Sequence, residues 1–191
     1  MITDIEGLKQ TANTCTLCEL HLGRKNPVFD KGNPETGIFI CGMVPADEEN
    51  EQGIPFVGRA GKLLDEILKD ADLSLNDVYI TNLVKCYLAA GKPLKQDWID
   101  HCLPYLVSQI MLIKPKAIIT LGKDSTIHLL GENPRVSLAK LISSGPHKYL
   151  DTIDVLPAYH PSFLLRKGGK SSKDYVPTVD IFKKAKNLAQ L

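Results

Sequence analysis

The sequence predicts an α/β protein, a parallel β-sheet covered by helices on both faces. Three observations carry this. Four short segments are apolar and rich in β-branched residues, the stretches between them place apolar residues at helical spacing, and each apolar segment runs into a polar or Gly/Pro-containing turn. The strands are residues 37–41 (G-I-F-I-C), 78–84 (V-Y-I-T-N-L-V), 117–121 (A-I-I-T-L) and 153–158 (I-D-V-L-P-A). Continuous apolar runs of this length suit parallel strands buried on both sides. Residues 60–71 set Leu63, Leu64, Ile67 and Leu68 three and four apart, which makes one apolar stripe on a helix. Residues 97–113 repeat the pattern with Ile99, Cys102, Leu103, Leu106, Ile110 and Ile113. A shorter helix is expected over 123–130 and a closing one over 181–191. The turns at 42–46, 85–95, 122–125 and 159–166 follow the strands. Ligands of such sheets sit at the strands' carboxyl ends, so these four turns are expected to rim one cleft. The basic stretch 166–173 (R-K-G-G-K-S-S-K) reads as a flexible loop.

A chain of 191 residues fits a single domain spanning 1–191, with enough length to bury a core without disulfide staples. Its 23 basic and 22 acidic side chains leave a net charge of +1. That balance excludes attachment to nucleic acid by bulk charge, though not through a local basic face. No apolar run approaches the ~20 residues that span a membrane. The opening M-I-T-D-I-E-G-L-K-Q has no basic stretch followed by an apolar one, so a signal peptide is not expected. The reading is a soluble, intracellular (cytoplasmic) protein. Five cysteines, an odd number without an export signal, point to metal or redox chemistry rather than a disulfide framework.

Cys15 and Cys18 form a C-x2-C knuckle, whose spacing lets two thiolates face one metal centre. Cys86 follows the second strand, and Cys102 lies within the helix predicted after it. Four thiolates can hold tetrahedral zinc or a cubane iron–sulfur cluster. A zinc ribbon usually has two knuckles, and the second pair here is spread over a loop and a helix, which favours the cluster. Cys41, inside a strand, reads as a small buried apolar residue.

Residues 42–61, G-M-V-P-A-D-E-E-N-E-Q-G-I-P-F-V-G-R-A-G, join the first strand to the first long helix. Glycine and proline at this density bring backbone close to a ligand. Asp47, Glu48 and Glu49 there read blandly as a solvated acidic loop. Phe56, between Pro55 and a glycine-flanked turn, has little core to join and serves as a loop anchor or a stacking platform. Asn82 interrupts an apolar strand, so its amide is a structural hydrogen bonder or a base reader. His160, fixed by a following proline at the end of the last strand, is a catalytic candidate.

The cysteines, P-F-V-G-R-A-G, Y-I-T-N-L-V-K-C, P-K-A-I-I-T-L-G and H-P-S-F-L-L-R together resemble the family 4 uracil-DNA glycosylases, in the family's order and over nearly the whole chain. The resemblance implies a three-layer α/β/α sandwich with a central four-stranded parallel sheet. It implies a 4Fe–4S cluster on Cys15, Cys18, Cys86 and Cys102. It implies a pocket lined by Gly42, Met43 and Val44, with Phe56 stacking on a flipped uracil, Asn82 bonding its polar edge and His160 donating to the carbonyl oxygen that gathers charge. Ser162, Leu164, Leu165, Arg166 and Lys167 would contact DNA, the leucines as a wedge and the cations on phosphates. The partner implied is uracil-containing DNA, single- or double-stranded, handled by a monomer that a replication factor could accompany.

The chemistry agrees with those roles. A base must leave the stack before its glycosidic bond can be reached. Donors aimed at the departing uracil anion then supply much of the catalysis. The chain departs from the family's G-E-(A or G)-P-G motif with Met43, Val44 and Ala46, and has Asn50 where aspartate is usual. That departure bears on water activation and base range. It leaves Glu49 in its place in the motif, able to orient water. Two other readings stand beside the enzyme: a non-catalytic binder of uracil-containing DNA, and an iron–sulfur accessory protein of a replication or DNA-modification complex.

Overall fold

A computed structural model describes residues 4–191. The first three residues of the stretch searched above for a signal peptide lie outside the described residues. Helix α1 (Ile5–Asn13) comes first, capped by Asp4, whose carboxylate accepts the Gly7 N–H at 2.8 Å. A 3-10 turn (Glu19–Leu22) leads to β1 (Lys31–Gly32) and β2 (Ile38–Gly42). Then come α2 (Asp47–Gln52), α3 (Arg59–Asp70), β3 (Val78–Asn82), α4 (Gln96–Ile113), β4 (Ala117–Leu121) and α5 (Lys123–Leu130). Next are α6 (Leu138–Ser144), β5 (His147–Tyr149), β6 (Ile153–Ala158) and α7 (Pro161–Arg166). A second 3-10 turn at Gly169–Ser171 precedes α8 (Tyr175–Ala189).

The strands form one mixed sheet of six, ordered β1-β3-β2-β4-β6-β5. The long strands β3, β2, β4 and β6 pair in parallel, and β1 and β5 add antiparallel edges. The four-stranded, all-parallel expectation is corrected accordingly. The two edge strands have two and three residues, too few to show an alternation in the sequence.

Both faces are covered, which is why the long strands are apolar at nearly every position. Ile38, Ile40, Ile80 and Ile119 pack on one face with Leu64 and Ile67 of α3 and Phe182 of α8. Phe39, Tyr79, Ile118 and Val155 pack on the other with Leu106 and Ile110 of α4 and Leu129 of α5. The chain thus leaves the neighbouring strands β2 and β4 toward opposite faces, and a crevice opens between their carboxyl ends.

Several local expectations change. Residues 47–52 are helical, not a loop. The H-P-S-F-L-L-R turn is a capped helix, and the closing helix begins at Tyr175 rather than 181. The stretch 166–173 is tied down, because Lys170 bonds Asp70 at 2.7 Å and lies over the Tyr175 ring. Among the described residues no helix is long and apolar enough to cross a membrane.

Candidate active site and cysteine cavity

A cavity of about 540 Å³ occupies the crevice, walled by Met43 and Val44 after β2, Asn82 at the end of β3, Gly122 after β4, and Tyr159 and His160 after β6. Three of the four expected turns meet here. The fourth, 85–95, does not line this cavity; β3 reaches it through Asn82 alone.

His160 caps α7. Its Nδ1 lies 3.1 Å from the Ser162 backbone nitrogen and 2.8 Å from Ser162 Oγ. A backbone N–H only donates, so Nδ1 accepts and a neutral ring carries its proton on Nε2. Pro161 at the first helical position has no N–H to satisfy, which suits the cap. Burial first, then the Arg166 cation, pulls the imidazole's pKa down to about 4, with Glu49 opposing. The ring is therefore neutral at pH 7 and presents an N–H donor.

The Phe56 ring lies 5.8 Å from the His160 ring, tilted by 31°. Phe56 is buried, contrary to the expectation that it has little core to join, and its φ of +54° is in the left-handed region. Two glycines permit this placement. A Cβ on Gly61 would sit 1.9 Å from the Phe56 carbonyl oxygen, and one on Gly42 would sit 2.6 Å from the Phe56 ring and 2.3 Å from Asn82 Oδ1. Asn82 is buried, and among the described residues no hydrogen bond engages its side-chain amide. Its backbone is fixed from behind by the fully buried Lys85, which donates to the Asn82 carbonyl and, at 2.8 Å, to Thr81 Oγ1.

Glu49 is buried, which overturns the solvated reading. It accepts three backbone N–H groups at 3.0 Å: Ala46 on Oε2, and Val57 and Gly58 on Oε1. The carboxylate binds the start of α2 to the loop that presents Phe56.

Along α7, Arg166 and Lys167 are exposed, and Arg166 reaches the cavity rim. Leu164 is wholly buried in the core. Burying a leucine contributes about 2 kcal/mol, so it is not free to enter DNA, and its place in the wedge is withdrawn. Leu165 is half-buried against the same core. Ser162 is engaged with His160 rather than held free for a phosphate.

Cys15, Cys18, Cys86 and Cys102 line one small separate cavity with Arg24, Lys85 and Tyr105. Arg24 Nη1 donates to Cys86 Sγ at 3.2 Å, and the Lys85 N–H donates to Cys102 Sγ at 3.2 Å. Burial pushes the Cys102 thiol up to about 11, against the pull of the Lys85 cation. Among the described residues no three His, Cys, Asp or Glu side chains converge on a single-ion site. Trp98 of α4 belongs to the same buried core as Cys86 and Cys102. Among the described residues its buried indole N–H makes no hydrogen bond of good geometry.

Residues 29–183 match the sequence model of the uracil DNA glycosylase superfamily. A type-4 uracil-DNA glycosylase of Thermotoga maritima is 37% identical over 85% of this chain and 83% of its own length. The chain belongs to this superfamily, in its type-4 branch. A type-4 uracil-DNA glycosylase of Sulfurisphaera tokodaii is 38% identical over 84% of the chain and 76% of that protein. A type-5 uracil-DNA glycosylase of Thermus thermophilus is 27% identical over 98% of the chain.

In this type-4 chain the structure brings Met43, Val44, Glu49, Phe56, Asn82, His160, Ser162 and Arg166 to one cavity, with Gly42 behind Phe56 and Asn82. The four cysteines meet elsewhere. The sequence reading passed over Tyr159 and Phe163, whose stacked rings (centroids 5.0 Å apart) form a further wall. Their spacing of four around His160 was the available signal.

Proposed function

We propose that the chain is a DNA-repair hydrolase that takes a flipped uracil into this cavity and cleaves its N-glycosidic bond, leaving an abasic site. One observation carries the reading: a neutral imidazole with its donor on Nε2 shares a cavity with an uncommitted buried amide and an aromatic ring. Phe56 stacks on the base. The Asn82 amide pairs with uracil N3–H and O4, a pattern cytosine reverses. As the bond lengthens, the sugar becomes oxocarbenium-like and charge gathers on uracil O2. His160 Nε2–H donates to it, and a preorganised neutral donor does so without reorganisation. A carboxylate has about four lone-pair sites and Glu49 uses three, leaving one to hold the attacking water. Arg166 and Lys167 hold phosphates beside the cleft, with Leu165 the remaining apolar contact on α7. One chain supplies the whole cleft, which supports a monomeric, single-domain enzyme.

The cysteine donor set fits a 4Fe–4S cluster on Cys15, Cys18, Cys86 and Cys102. All four line one cavity, yet they do not converge on one ion, whereas a cubane spreads four thiolates over four irons. When bound, the cluster supplies a cross-link between the N-terminal knuckle, the segment after β3 and α4. Arg24 and the Lys85 N–H, which donate to Cys86 Sγ and Cys102 Sγ, would help hold the charge of the ligand sulfurs. The test is release of free uracil from single- and double-stranded oligonucleotides by the purified iron-containing protein. Release is expected. Tight binding of uracil-containing DNA without release would identify a non-catalytic binder instead.

A further inference from the structure

Lys31 has no part in the chemistry above, yet its ammonium is largely buried and placed with unusual economy. It lies on the two-residue strand β1, in register with Ile80 of β3. Its Nζ donates to the Phe56 carbonyl oxygen at 2.8 Å. The nearest carboxylate, Asp65, is 3.8 Å away and exposed, so the ion pair is the weaker contact. The strand can lie this close because Gly32, at φ +94°, has no side chain; a Cβ there would meet the Val78 carbonyl oxygen at 2.1 Å. On the other side of Phe56, Glu49 holds the next two amides, those of Val57 and Gly58. A cation thus grips the Phe56 carbonyl and an anion the following N–H groups; burial pulls the Lys31 pKa down, and the Asp65 and Glu49 carboxylates oppose it.

We propose that Lys31 is a positioning residue for base binding, holding Phe56 in its left-handed conformation so that the ring lies ready for the flipped base. A non-glycine residue at positive φ persists only when its surroundings over-determine it. Here the over-determination comes from Lys31, Glu49 and the gap at Gly61. Removing the ammonium orphans a buried carbonyl and frees that peptide to rotate, and the ring moves with it. The role rests on the glycosylase reading of the cavity.

The experiment compares wild type with Lys31→Met, Lys31→Gln, Lys31→Arg, Phe56→Ala and the Lys31→Met/Phe56→Ala double variant. For each, inhibition by free uracil, KM and kcat on a uracil oligonucleotide, and thermal melting are measured. Losing a hydrogen bond from a charged donor should raise the uracil inhibition constant and KM about tenfold in Lys31→Met, with kcat within about twofold. Lys31→Gln, too short to reach the carbonyl, should shift the same way and guards against a misfolded methionine variant. Lys31→Arg should restore most of the uracil affinity. In the Phe56→Ala background, Lys31→Met should weaken uracil binding no further. Wild-type uracil inhibition and KM in a folded Lys31→Met or Lys31→Gln protein would overturn the role, as would additivity in the double variant. A wild-type protein that neither releases nor binds uracil would overturn the reading of the cavity itself, before any variant is made.

Discussion

At the residue scale, the role proposed for His160 separates binding from chemistry. In the proposed mechanism its Nε2–H meets the base where charge develops, so His160→Ala should keep most affinity for uracil-containing DNA. Losing one donor of this kind costs about a hundredfold to a thousandfold in single-turnover rate. A folded variant with wild-type rate would remove His160 from the mechanism. The lowered pKa gives a second expectation. Because the imidazole is already neutral down to about 4, the rate should show no titration near 6.5, the ordinary histidine value. The sign for stability follows from linkage. Below 6.5 the unfolded chain takes up a proton that folded His160 refuses. Its contribution is therefore complete above 6.5 and lost as pH falls from there toward about 4. Melting temperatures across that window should fall with pH less steeply in His160→Asn than in wild type.

At the scale of elements, α7 combines two tasks. Its first turn sets the His160 ring, and its last turn carries Arg166 and Lys167 into solvent. Replacing either cation by alanine should weaken binding to all DNA sequences alike and flatten the salt dependence, leaving the excised base unchanged. Binding isotherms at several salt concentrations would measure this, and a changed base preference at constant affinity would contradict it. The long parallel strands were legible because burial on both faces leaves only apolar residues. Helices α3 and α4 were legible through their stripes. Helix α2 was not, since D-E-E-N-E-Q has no apolar stripe, although three acids in a first turn complement the helix dipole. The burial of Glu49 was hidden for the same reason: nothing in its neighbours announces that three amides converge on it. Leu164 shows the converse, an apolar residue in a motif whose burial depends on packing against distant segments.

Across the whole molecule, the proposed reading divides labour between the two cavities, one holding the chain together and one acting on a base. Replacing Cys15, Cys18, Cys86 or Cys102 should release iron and lower the melting temperature more than it alters base selectivity. Cys41→Ala should leave iron content intact, because Cys41 packs within β2 and lines neither cavity. Iron assays beside thermal melts decide both, and iron loss from the Cys41 variant would show the ligand set to be wrong. The grouping of the four cysteines was legible from Cys15 and Cys18, because a C-x2-C knuckle in polar sequence has no bland explanation, and the fold brings Cys86 and Cys102 to the same cavity. Their donors, Arg24 and the Lys85 amide, were not, since only the fold brings residue 24 to residue 86.

Trp98 is the chain's single tryptophan, and it stands one helical turn before Cys102, in the same core as Cys86 and on the far side of the sheet from α3 and α8. This gives the protein a built-in optical gauge. All indole emission comes from one site beside the sulfur cavity, and a bound cluster absorbing near ~400 nm by thiolate-to-iron charge transfer will quench it. Emission should rise as iron is chelated, while free uracil in the cleft should leave it nearly unchanged. One fluorescence trace would then follow loss of the metal apart from occupation of the base pocket, without a label and without altering a residue.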